Sequence, residues 1–134
     1  MNNKELIQAA LAVVKPRTIH NADMGGVGCA LVTTNNTIFT GVCIDTISGM
    51  GFCAEHSAIS QMITQSEYRI EKIVAVKRDE KGNVFILSPC GRCREFMYQT
   101  NPANANTKVI LDLKKTVLLS TLLPYKDWRP QITL

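Results

Sequence analysis

A chain of 134 residues can bury one substantial core, and 46% hydrophobic with 19% charged residues describes a globular protein rather than a disordered one. The formal net charge of +4 is scattered, and aromatic residues make up only 6%, so no basic stripe with interleaved stacking rings speaks for a nucleic-acid partner. No apolar run approaches the roughly 20 residues of a membrane span, which excludes an integral helical membrane protein.

The first predicted element is an amphipathic helix, with Leu6, Ile7, Ala10, Leu11 and Val14 at helical spacing and Pro16 at its end. That periodicity differs from the continuous apolar core of an export signal, so a reducing cytoplasm is the expected compartment. The odd number of cysteines, five, fits no complete disulfide framework, which leaves free or metal-bound thiols. "GVGCALVTTNNTIFTGVCI" reads as two strands around an Asn35-Asn36 turn, with Cys29 and Cys43 as apolar strand residues. "SGMGF" is a glycine-containing loop. From Cys53, "CAEHSAISQMITQSEY" reads as a helix, then "KIVAV" as a buried strand, "DEKGN" as a turn and "NVFILS" as a strand ending at Pro89. A short helix from Cys90 to about Gln99, the loop "NPANAN", the strand "KVILDL" and a final helix "TVLLSTLLP" complete the chain. There is no repeat and no linker, so residues 1–134 are expected to form a single α/β domain with one sheet and helices on both faces. His20 is expected to face solvent.

Two places share one design: Cys53 opens a helix, and Cys90 and Cys93 lie in the first turn of another. Helix N-termini carry unsatisfied N–H groups and partial positive charge, which favour thiolate. Three thiolates converging from two helix starts give Zn²⁺ three protein ligands and an open fourth position, the coordination of a catalytic site. Glu55, two residues after Cys53, is placed to move protons without ligating the metal. The competing reading is a closed structural knot of Cys53, His56, Cys90 and Cys93, with no open position and no catalysis. A third reading gives the cysteines no role beyond filling a core.

"CAEHSAI" followed by "SPCGRCRE" resembles the cytidine deaminase superfamily, specifically its three-cysteine branch of small tetrameric enzymes. The resemblance extends over most of the chain, taking in "VGCAL", "IFTG" and the "LLP" near the C-terminus. "GRCR" and "TIFTGV" are closer to blasticidin S deaminases than to standard cytidine deaminases. The resemblance implies a three-layer α/β/α sandwich around a mixed five-stranded sheet, assembled as a homotetramer. It implies one zinc per chain held by Cys53, Cys90 and Cys93, with Glu55 shuttling protons. It also implies that the Ala54 backbone N–H holds the cytosine carbonyl and that the Ser88 carbonyl faces the amino group.

The implied activity is hydrolytic deamination of a cytosine nucleoside or analogue, with cytidine, deoxycytidine or a blasticidin S-type compound as substrate. A small nucleoside is thus the expected partner, and neither membrane nor nucleic acid is. The family's sugar-binding Asn and Glu are replaced here by Cys43 and Asp45, and the stretch from Gly41 to Cys53 aligns one residue short. An Arg that often follows the catalytic Glu is His56 here, which makes Arg92 and Arg94 the candidates to offset the thiolate charge. In the family the C-terminal segment approaches a neighbouring subunit's site, which nominates Trp128 and Tyr125 to close the pocket.

Overall fold

The computed structural model describes residues 1–134. In chain order it comprises α1 (Asn3–Ala12), β1 (Arg17–Ile19), β2 (Ala22–Thr33), β3 (Ile38–Asp45), α2 (Ala54–Thr64), β4 (Ile70–Arg78), β5 (Val84–Leu87), α3 (Gly91–Thr100), β6 (Lys108–Asp112), β7 (Lys115–Leu118) and α4 (Leu119–Leu122). Short 3₁₀ turns occupy Ile47–Gly49 and Pro102–Asn106, the second lying within the predicted "NPANAN" loop.

The two longest strands, β2 and β4, pair antiparallel at the centre, from Val27↔Lys77 to Thr33↔Ile70. β3 returns antiparallel along the other edge of β2. On its far side β4 changes partner midway: Lys72 and Ile73 pair parallel with β6, whereas Ala75 to Arg78 pair antiparallel with β5. These are the five predicted strands, and the sheet is mixed, as expected. Two short strands join them: β1 pairs with the start of β2, and β7 folds back on β6. The second corrects the sequence reading of "TVLLSTLLP" as one helix, because Thr116 to Leu118 pair with β6 and only Leu119–Leu122 is helical. After a tight return from β6, these residues satisfy their backbone groups at the open sheet edge.

Strand alternation sorts the sheet's side chains into two cores. Ala30, Val32, Val74, Val76 and Ile110 pack with Leu6, Ile7 and Ala10 of α1 on one face. Cys29, Leu31, Ile73 and Val109 pack on the other with Ala58, Ile59 and Met62 of α2 and Cys93 and Met97 of α3. The result is the expected α/β/α sandwich. A capping box starts α1, with Asn2 Oδ1 accepting from Glu5 N–H at 2.8 Å and Glu5 Oε2 accepting from Asn2 N–H at 2.9 Å. Each fully buried Leu or Ile on its inner face contributes roughly 1.5–3 kcal/mol through desolvation.

The placement of α2 matters most for the site. Ser57 Oγ donates to the Val42 carbonyl at 2.7 Å, and Gln61 Nε2 donates to the Thr40 carbonyl at 2.9 Å. Between those carbonyls lies Gly41, where a Cβ would collide with Ser57 and the Ala58 backbone. The missing side chain lets α2 lie directly on β3, and so fixes where the helix begins.

Candidate metal centre and active site

α2 and α3 both start at a cysteine. Cys53 is the extended N-cap of α2, and Cys90 is the N-cap of α3, its sulfur accepting from the Cys93 N–H at 3.4 Å. Phe52 and Ile44 exchange backbone hydrogen bonds at 2.9 and 3.0 Å, which delivers the chain to Cys53 beside the end of β3. β5 ends at Leu87, and Ser88 and Pro89 lead from it to Cys90. All five cysteines are unbridged.

The sulfurs of Cys53, Cys90 and Cys93 lie within 4.8 Å of one another, with Cys53–Cys90 at 3.5 Å and Cys90–Cys93 at 3.4 Å. A tetrahedral zinc with Zn–S bonds near 2.3 Å separates its sulfurs by about 3.8 Å, so the donor set fits Zn²⁺ with little movement. His56 is not in that cluster. Its Nδ1 lies 3.5 Å from Cys93 Sγ alone, while its ring stacks on Phe96 with centroids 4.2 Å apart. The cluster the side chains form is thus the three-sulfur set, not the competing Cys₃His knot.

Electrostatics divide the cysteines. Burial pushes the Cys53 and Cys93 thiols up from their ordinary range, and the Glu55 carboxylate adds to the effect. Burial also acts upward on Cys90, but hydrogen bonds from the Cys93 backbone N–H and the Cys93 and Cys53 thiols hold it below. Crowded thiols of this kind call for a cation to share their charge when they ionise.

Beside the sulfurs opens a cavity of about 280 Å³, near the lower end for small-ligand sites. Cys53, Ala54, Glu55, Cys90, Ser88, Cys43, Asp45 and Arg92 all line it. Glu55, only 5% exposed in the first turn of α2, is raised above the usual carboxylate range by burial, against hydrogen bonds from its own backbone and Cys93. Cys43 departs from the core reading: it is half-buried on the cavity wall, and its sulfur accepts the Val27 N–H at 3.2 Å. Cys29 is fully buried.

The two arginines separate. Arg92 borders the cavity and donates to the Gly51 carbonyl at 3.3 Å. Arg94 donates to the Pro89 and Leu122 carbonyls at 2.8 and 3.0 Å and to Ser88 Oγ at 3.1 Å. Trp128 and Tyr125 are exposed and outside the cavity lining of their own chain. Val27, Gly51, Phe52, Ala75 and Leu87 complete the wall and were not singled out in the sequence; no local motif marks them, because the fold alone gathers them.

Residues 1–109 match the model of the cytidine and deoxycytidylate deaminase zinc-binding region. The chain belongs to this family. Zinc-dependent hydrolytic deamination is the family's chemistry, and the cluster of Cys53, Cys90 and Cys93 is suited to that metal. The chain is 34% identical to the cytidine deaminase of Mycoplasma genitalium over 95 residues, covering 69% of each. It is 37% identical over 71 residues to a protein of Dictyostelium discoideum described as a probable cytidine deaminase, a match covering 52% of this chain and about half (46%) of that protein. Among solved structures, the cytidine deaminase of Mycobacterium leprae superposes with a TM-score of 0.74 at 29% identity, over 92% of this chain and 98% of that one. That of Burkholderia pseudomallei gives 0.73 at 25% identity, over 93% and 98%. No helix of this family member is long and apolar enough to cross a membrane.

Proposed function

We propose that this chain hydrolytically deaminates a free cytosine nucleoside or nucleoside analogue, either cytidine or deoxycytidine or a compound of the blasticidin S type, to the uracil form with release of ammonia. The observation that carries the reading is the cluster of three sulfurs beside one cavity, which Cys53 and Cys90 line together with Glu55. In this reading Cys53, Cys90 and Cys93 hold zinc, which when bound lowers the pKa of water toward neutrality and stabilises developing negative charge. Glu55 accepts the proton of the attacking water, delivers it to the ring nitrogen beside the reacting carbon, and returns a proton to the departing amine. Its burial favours a carboxyl that holds a proton between those steps. The Ala54 N–H, at the start of α2, binds the base carbonyl, and the Ser88 carbonyl accepts from the amino group. Water adds, the C–N bond breaks, and ammonia leaves.

At the far end of the cavity the sugar side is the part most altered from the family pattern. Asp45 is a carboxylate able to accept a hydroxyl hydrogen bond, while the Cys43 sulfur is engaged by Val27 N–H and offers a ligand little polarity. That supports an analogue with a modified sugar as well as the ordinary nucleosides. A homotetramer is part of the same proposal: Ile19, Ile47 and Met50 are 53%, 66% and 79% exposed and border Phe52 on the outer side of the cavity wall, an apolar surface suited to another copy. The deciding experiment is ammonia release by purified zinc-loaded protein across cytidine, deoxycytidine, free cytosine and blasticidin S. Turnover of none of them sinks the reading.

A further inference from the structure

Arg94 makes more side-chain hydrogen bonds to distant parts of the chain than a surface arginine on a helix needs. Its Nε donates to the carbonyl of buried Pro89, its Nη2 to Ser88 Oγ and its Nη1 to the Leu122 carbonyl at the end of α4. Its own backbone N–H bonds the Cys90 carbonyl at 3.0 Å in the first turn of α3. Ser88 lines the cavity, and Pro89 borders, with Glu55 at the start of α2 and residues of β4, β5 and β6, a gap of about 10 Å³. One planar guanidinium thus ties three acceptors together: two in the segment that forms the cavity wall and one in the C-terminal segment. The Pro89 carbonyl precedes the helix, so no intrahelical N–H serves it, and a buried carbonyl without a donor is costly.

We propose that Arg94 is a positioning residue: it fixes the Ser88–Pro89 wall of the cavity against the C-terminal end of α4. Its guanidinium is committed to backbone geometry rather than to offsetting the charge of the cysteine sulfurs. The geometry stands independently of the deaminase reading; the catalytic consequence rests on it. Because Ser88 borders the place where the base would lie, loss of the fork displaces a group that meets the reacting end of the substrate. A misplacement of about 1 Å costs on the order of 10²-fold in rate.

Arg94→Lys decides between the two roles, since it keeps the charge and loses the fork. In the zinc-loaded full chain, Arg94→Lys and Arg94→Ala are expected to behave alike. Both should retain one zinc per chain, and kcat should fall about 10- to 100-fold with KM changed less than about threefold. Amide hydrogen exchange should accelerate in the peptides around Leu87–Cys90 and Leu119–Leu123, and remain at the parent rate in α1. Guanidinium ion at millimolar concentration should restore part of the activity of Arg94→Ala. A parent-like Arg94→Lys beside an Arg94→Ala that sheds zinc would assign the counter-charge role and overturn the proposal. Acceleration of exchange throughout the chain would overturn it too, by showing a general structural role. Should Arg94→Ala not fold, Ser88→Ala removes the Nη2 contact alone; it should give a smaller fall in kcat with faster exchange confined to the Leu87–Cys90 region, and unchanged exchange there would refute the proposal. If the parent releases ammonia from no cytosine compound, the functional reading fails while the exchange data still decide the geometry.

Discussion

Gly41→Ala tests whether the contact between α2 and β3 sets the site. A Cβ at position 41 would lie 2.5 Å from Ser57 Cβ and 2.8 Å from the Ser57 carbonyl carbon, whereas ordinary contacts begin at 3.4 Å. Relief requires roughly 1 Å of separation between helix and strand, because the obstructing atoms include backbone. Such overpacking costs about 1–3 kcal/mol, and the Ser57 and Gln61 hydrogen bonds to β3 are stretched with it, each worth about 1 kcal/mol. For a chain of this size a total near 2–4 kcal/mol lowers Tm by roughly 8–16 °C. The same shift moves Cys53 and Glu55, which ride on the start of α2, away from Cys90 and Cys93 on α3. A fall in kcat/KM on the order of 10²-fold follows, together with weaker zinc retention. Thermal unfolding, metal analysis and steady-state kinetics on one preparation check all three. A variant within about 2 °C of the parent, with unchanged turnover, would refute the tight helix–strand seat.

Replacing Cys53, Cys90 or Cys93 by Ala should release the single zinc and lower Tm, whereas His56→Ala should keep its metal; metal analysis that found His56→Ala as depleted as Cys53→Ala would restore the Cys₃His knot. Asp45→Ala should raise KM for a nucleoside and leave free cytosine, which has no sugar, unaffected. Equal losses on both compounds would make Asp45 structural.

Much of this was legible in the sequence because it depends on local chemistry. The alternation through Cys29, Ala30, Leu31 and Val32 announces a strand buried on both faces, and those residues do divide between the two cores. The cysteines at two helix starts nominate the cluster from residue type and spacing, and the resemblance to the deaminases is what singles out Cys53, Cys90 and Cys93 from the knot and core readings. What escaped depends on tertiary contacts. Thr116 to Leu118 have apolar spacing compatible with a helix, yet pairing with β6 satisfies their backbone and makes them a strand. Cys43 lies in an apolar strand and reads as core; the irregularity of β2 between Met24 and Gly28 aims the Val27 N–H at its sulfur and leaves it on the cavity wall. Phe52, Val27 and Leu87 reach the cavity from three separate segments, and nothing in any one of those segments signals the others. Arg94 reads from sequence only as a charge beside a cysteine; its acceptors are distant carbonyls that no motif discloses.

Glu55→Gln is the most direct measurement. The substitution keeps the size of the side chain and its hydrogen bonding but cannot accept and return a proton. A positioned acid–base group contributes roughly 10²- to 10⁴-fold in rate, and one carboxyl serving every proton transfer places the loss at or beyond the upper figure. The variant should fold, retain one zinc per chain and still bind the nucleoside, as seen by titration, while ammonia release nearly ceases. A Glu55→Gln protein that deaminates the same substrate at near-parent rate would contradict the mechanism, even with zinc bound at all three cysteines.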